Sequence, residues 1–172
     1  MNNLTFSEEA DYREAYLIAK IQFKKIIKNF NEAQFKLLFD QLFHDKKNYK
    51  LFLKKDNTLL CGALGYIHQD RIFIDIFFWN RLMEEYSMNT VRYFFEKFFN
   101  KTSKMGIKSA ILPLDLNRKK FKSFKKHNEI FFRSEKMFDL KDEYIKTIYT
   151  HHHLLEINYK YYFSQNEKIH IR

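Results

Sequence analysis

The chain has 172 residues, is 45% hydrophobic, contains 20 Phe and carries a formal net charge of +10. Such a length and apolar content suit one domain with a real core and exclude a disordered chain. With only 3 Gly and 1 Pro a turn-rich all-β design is excluded, and 1 Cys leaves no disulfide framework or cysteine-based zinc finger.

In chain order, residues 8–29 read as an amphipathic helix, with Ala15, Ile18, Ala19, Phe23, Ile26 and Ile27 at three- and four-residue spacing. Asn31 caps a second helix to about Asp45. Tyr49–Leu53, Leu59–His68 and Arg71–Trp79 read as strands of an antiparallel meander, with turns at Lys55-Asp56-Asn57 and Gln69-Asp70. The third of these, RIFIDIFFW, is apolar on both faces except for Asp75, so it is expected to be central and covered twice. Asn89–Lys104 reads as a helix with a Phe stripe, closed by Gly106. Ile107–Leu112 is a strand broken by Pro113, and the two strands joined by this helix are expected to be parallel neighbours. Asn117 caps a short basic helix to Lys126. Ile130–Phe138 and Tyr144–His152 form a closing hairpin, and residues 152–172 are an unplaced extension of a single domain spanning 1–172.

The expected fold class is therefore α/β: a mixed, mostly antiparallel central sheet flanked by helices, in the order ααβββαβαββ. The N-terminal residues have no basic and apolar leader pattern, and no uncharged apolar run reaches ~18 residues. A soluble cytoplasmic protein without membrane insertion is the expectation; the oligomeric state is open. Cys61 lies in an apolar run and reads as a buried thiol rather than a nucleophile. His151-His152-His153 cannot place three ligands on one strand face, and no metal is expected. His68 reads as a surface group near a turn, and Glu84-Glu85 either line a cleft or solvate the loop.

Three features carry the chemistry. Asp75 shares a strand face with Arg71, Phe73, Phe77 and Trp79. It is either a buried general base with a raised pKa or one half of an ion pair with Arg71 or a lysine. The start of the helix after the strand, Ser87, Asn89, Thr90 and Val91, is either an anion cradle built from backbone N–H groups or a simple cap. The basic segment NRKKFKSFKKH turns Phe121 and Phe124 inward and Lys119, Lys122 and neighbouring cations outward. That gives a solvated face, a contact for a ligand phosphate, or a nucleic-acid track. The positive charge suits nucleic acid, an anionic membrane surface or a phosphate-rich cofactor. It also fits the Lys-, Asn- and Ile-rich usage of an AT-rich genome.

From about Phe6 to His152 the element order resembles the GNAT acetyltransferase superfamily. Gly62 in LLCGALGYI, MGIKSAILPL, and Asn117 with RKKFKSFKKHNEIFF echo its third strand, the strand after its third helix, and its fourth helix. Setting Phe94-Phe95 on the family's paired leucines puts Tyr86–Val91 in the window of the Q/R-x-x-G-x-G/A signature, with both glycines and the leading Gln or Arg absent. Phe124 stands where many members carry a tyrosine that protonates the leaving thiolate. The resemblance implies an acyl-CoA-dependent N-acyltransferase, with acetyl-CoA as co-substrate and an amine as acceptor. It implies Asp75 as the base, eleven residues before Tyr86. Backbone of Ile76, Phe77 and Phe78 would pair with the pantetheine arm in a cleft between Arg71–Trp79 and Ile107–Leu112. Ser87, Asn89, Thr90 and Val91 would meet the pyrophosphate, and Asn117, Lys119 and Lys122 the remaining phosphate. The alternatives are a non-catalytic binding module on the same fold, and a basic nucleic-acid-binding protein, either binding alone or acting on an RNA-borne amine.

Overall fold

The structure is a computed structural model and describes residues 3–27, 29–83, 87–114, 135–139 and 153–170. Its strands are β1 (Leu4–Ser7), β2 (Tyr49–Lys55), β3 (Thr58–His68), β4 (Arg71–Trp79), β5 (Ser109–Leu114), β6 (Glu135–Asp139) and β7 (His153–Asn158). Its helices are α1 (Tyr12–Ile26), α2 (Glu32–His44), α3 (Met88–Ser103) and α4 (Tyr159–His170). Hydrogen-bonded neighbours run in the order β1-β2-β3-β4-β5-β7-β6. This is the mixed, mostly antiparallel sheet flanked by helices that the pattern of apolar residues implies. Among the described residues no helix is long and apolar enough to cross a membrane.

The chain divides into two compact units, and β4 runs through both. The first holds residues up to Ile67 together with Ile74–Val91. In it, α1 begins at Asp11, whose side chain accepts the Glu14 N–H, and α2 begins at Asn31, which accepts from Gln34 in the same way. Ala15, Ala19 and Phe23 of α1 and Phe35, Phe39 and Leu42 of α2 are buried. Rings join the two helices, Phe23 lying 5.1 Å from Phe35. Tyr12 donates to Asp40, which also takes the Lys36 ammonium. The β2–β3 hairpin turns at Asp56 and Asn57, with φ of 48° and 71°, the left-handed pair that a tight hairpin needs.

The second unit holds His68–Phe73 and residues from Arg92 onward. Here β4 and β5 pair in parallel, from Arg71↔Ser109 to Phe73↔Ile111. Gly106 ends α3 with φ of 87°. The N–H of Ile107 bonds back to the Thr102 carbonyl and that of Gly106 to the Ser103 carbonyl, the paired bonds of a left-handed cap. A Cβ on Gly106 would meet nothing within 4 Å, so a substitution there tests the backbone alone. Gly106→Val is expected to lower stability by ~1 kcal/mol or more. An unchanged melting temperature would show that the cap contributes nothing.

Two expectations change, and two others fall partly or wholly outside the described residues. β1 precedes α1 and pairs antiparallel with β2; with two apolar residues in four it is too short to show a period. β5 runs through Pro113, which pairs with Leu154 of β7. Pro113 lies past Ile111, the last β5 residue paired with β4, and a strand tolerates proline where no ladder partner needs its N–H. Ile130–Phe138 is seen as a strand from Glu135, and residues 130–134 lie outside the described residues. Tyr144–His152 also lies outside them, and the strand that pairs with both β5 and β6 is His153–Asn158. The unplaced tail thus supplies β7 and α4. Tyr159 and Tyr162 of α4 are buried, with ring centroids 5.2 and 5.1 Å from Phe99 of α3. The Tyr159 hydroxyl lies 2.7 Å from Thr102 Oγ1.

Candidate functional site

The first unit holds the C-terminal half of β4, the first turn of α3 and helix α1. In β4 seven of nine residues are buried, and Asp75 among them is only 3% exposed. Removing a carboxylate from water disfavours its charged form, and burial pushes the Asp75 carboxyl up to about 7. The two β4 residues that are only half-buried, Arg71 and Phe77, belong to the alternating set that contains Asp75. Arg71, one of the partners the sequence allows for Asp75, is ion-paired at 3.4 Å with Glu156 of β7. Ser109 of β5 donates to the same carboxylate oxygen at 2.8 Å. That network fixes the start of the parallel ladder.

The backbone of β4 beyond Asp75 has a defined polarity. The N–H of Asn80 bonds to the Leu60 carbonyl of β3. Successive residues of a strand direct their N–H and C=O groups to opposite edges. Phe78 therefore turns its groups toward β3, and Phe77 and Trp79 turn theirs to the other edge. On that edge the Gln22 side chain of α1 donates from Nε2 to the Phe77 carbonyl at 3.2 Å. Its Oε1 accepts the Trp79 N–H at 2.6 Å. Sequence reasoning missed Gln22. The signal was a polar residue inside the apolar stripe of Ala15, Ala19, Phe23 and Ile26.

At the head of α3, Ser87 is the cap. Its Oγ accepts the Thr90 N–H at 3.2 Å and lies 2.8 Å from Thr90 Oγ1, and its carbonyl takes the Val91 N–H at 3.1 Å. Thr90 and Val91 are buried and Asn89 is exposed. The N–H groups of Met88 and Asn89 precede the first intrahelical bond, so the helix gives them no acceptor. The capping role is therefore realised, and among the described residues it leaves the Met88 and Asn89 N–H groups at the positive end of the helix dipole. Tyr86, Glu84 and Glu85 lie outside the described residues. So do Asn117, Lys119, Lys122, Phe124, His151 and His152. Cys61 is buried, which pushes its thiol up and leaves it inert.

No family model matches the chain, and no curated protein matches it. Solved structures do. An acetyltransferase of the GNAT family from Staphylococcus aureus Mu50 superposes with a TM-score of 0.63 at 10% identity, over 91% of this chain and 99% of that one. The ribosomal-protein-S18-alanine N-acetyltransferase of Escherichia coli gives 0.61 at 12% identity, over 90% and 93%. The PaiA N-acetyltransferase of Thermoplasma acidophilum, in complex with coenzyme A, gives 0.55 at 13% identity, over 90% and 98%. At these identities the likeness establishes the fold: the chain folds as GNAT acetyltransferases do.

Proposed function

We propose that the protein is an acyl-CoA-dependent N-acyltransferase that moves an acetyl group from acetyl-CoA to an amine by direct attack, with Asp75 as the general base. The observation that carries this reading is a carboxyl buried on the central strand of a GNAT fold with its pKa near neutrality. A base of that pKa is about half ionised at pH 7, more so above it, and still basic enough to take a proton. The solved structures named for amine acetylation, and the one holding coenzyme A, support the class of acceptor and donor.

Acetyl-CoA supplies the activated acyl group as a thioester. Asp75, or a water it holds, takes a proton from the acceptor amine as its nitrogen bonds to the acyl carbon. The C–S bond then breaks, and with Phe124 in place of a tyrosine the thiolate takes its proton from water. The residues present fit an amide-bearing arm with a charged end. The Phe77 carbonyl and Trp79 N–H already hold a carboxamide, and the first N–H groups of α3 suit a pyrophosphate. Asn89 adds an exposed amide, Ser87 and Thr90 order the turn, and Asn117, Lys119 and Lys122 would meet the remaining phosphate. Ile76 and Phe78 frame Phe77.

Calorimetric titration with acetyl-CoA tests the reading: a Kd above ~1 mM, worth only ~4 kcal/mol, overturns it. Lys119→Glu/Lys122→Glu/Lys126→Glu is expected to weaken CoA binding at least tenfold, with circular dichroism unchanged. Affinity that survives the triple change would show the basic segment to be a solvated face.

A further inference from the structure

Helix α1 has a face that the core does not use. Its buried positions are Ala15, Ala19 and Phe23. Leu17 and Ile21 each follow one of the two alanines by two residues, about half a turn round the helix, and so point away from the core. They are 52% and 45% exposed, and among the described residues they are the only two large exposed apolar side chains on one element. Their i, i+4 spacing makes them neighbours. The same spacing brackets the pair with cations. Arg13 and Lys20 adjoin Leu17, and Lys24 and Lys25 adjoin Ile21. The one acid of α1, Glu14, is engaged elsewhere, accepting the Leu59 N–H of β3 at 3.0 Å. Lys20 is ion-paired with Glu32 at 3.1 Å, whereas Arg13, Lys24 and Lys25 are exposed. The result is an apolar centre inside a positive rim.

We propose that this face of α1 docks the protein on an anionic phospholipid surface, with Leu17 and Ile21 dipping into the headgroup boundary and Arg13, Lys24 and Lys25 meeting lipid phosphates. The inference is independent of the acyl-CoA reading. Charge complementarity selects the occupant. A second copy would set the same cations against these, so the face repels itself. Nucleic acid would satisfy the cations, but its phosphate backbone gives two aliphatic side chains nothing apolar to meet. A stable protein interface takes ~20 or more residues a side, far more than this patch supplies. A lipid surface needs only a few cations and a shallow apolar anchor. It satisfies both parts of the patch at once, with the lysine stems lying along the interface beside Leu17 and Ile21. The overall charge of +10 draws the protein toward such a surface.

The test uses the full chain and two kinds of vesicle, phosphatidylcholine alone and an equal mixture of phosphatidylcholine and phosphatidylglycerol. Wild type should sediment with the mixed vesicles and not with the neutral ones, and added salt should release it. Ile21→Trp reports on the face itself, because the native Trp79 is buried and gives a constant background. Its emission should move to the blue on mixed vesicles only. Lys24→Glu/Lys25→Glu should lower the bound fraction at least ~tenfold. Leu17→Ser/Ile21→Ser, which keeps every charge, should also weaken binding. Wild type that ignores the mixed vesicles overturns the proposal and leaves an acidic protein as the occupant. Sedimentation with unmoved Ile21→Trp emission, or undiminished by Leu17→Ser/Ile21→Ser, overturns it too, since another basic surface then binds the lipid. A blue shift that follows protein concentration rather than lipid marks a contact between copies and likewise overturns it. Should a double variant fail to fold, the Ile21→Trp emission decides.

Discussion

Asp75→Asn is expected to lower turnover ~10²–10⁴-fold while leaving coenzyme A affinity within a factor of two or three. The amide keeps the shape of the carboxyl and most of its hydrogen bonding but cannot take a proton. In the wild type, turnover should rise with pH through the neutral region as the carboxyl, held at about 7, ionises. Asp75→Asn should lose that limb of the pH–rate profile.

The same substitution has a second, opposite signature in stability. An unfolded aspartate titrates at ~3.9, whereas the folded Asp75 is raised to about 7 by burial. Between these two values the folded protein holds a proton that the unfolded chain has released. Stability attributable to this group therefore falls as pH rises from ~4 to ~7 and is level above that. The whole shift corresponds to a penalty on the order of 4 kcal/mol at alkaline pH. Asparagine carries no such penalty. Chemical denaturation should find Asp75→Asn more stable than wild type at pH 8 and close to it near pH ~4. If Asp75→Asn is instead destabilised at pH 8, with turnover per folded molecule undiminished, Asp75 is half of an ion pair and the base assignment ends.

Much of this arrangement was legible in the residues, for identifiable reasons. β4 occupies Arg71–Trp79 as read, because the largely apolar run Ile72–Trp79 sits between a turn and a polar loop. Asp75 stands out as the lone charge in that run, and its burial follows from its neighbours. The Asn31 cap and the Gly106 stop rest on local chemistry that packing does not override. The N-terminal and C-terminal elements were harder. β1 is four residues, and its pairing with β2 is a long-range event. β7 and α4 abut without a breaker, Asn158 leading directly into Tyr159. The i, i+3, i+4 set of Tyr159, Tyr162 and Phe163 was present, but tyrosine-rich composition hid it. Gln22 was invisible for another reason. A backbone carbonyl and N–H have no sequence signature, so a side chain recruited to them leaves only a polar residue on an apolar stripe.

Gly62→Ala is expected to destabilise the protein by ~1–3 kcal/mol, against the usual sign of such a change. Replacing a strand glycine whose φ is ordinary normally helps slightly, by ~0.4–1 kcal/mol, through the unfolded chain. At Gly62 the space is taken. A Cβ there would lie 2.5 Å from Phe52 Cδ1 and 2.7 Å from Phe78 Cζ. Phe52 is the direct cross-strand partner of Gly62, and both rings are fully buried with centroids 6.4 Å apart. Phe43 of α2 lies 6.0 Å from Phe52, so the ring cannot turn away without disturbing the helix above it. Phe78 is the residue between Phe77 and Trp79, so a shift of its ring would also move the strand edge that Gln22 grips. A double-mutant cycle separates the clash from other costs. Phe52→Ala destabilises by itself, yet it removes the ring atoms nearest to position 62. Combined with Gly62→Ala it should therefore show a favourable coupling on the order of 1 kcal/mol. Strict additivity, or a stabilised Gly62→Ala, would mean that the rings yield freely and that the glycine is not what allows Phe52 and Phe78 to close over β3.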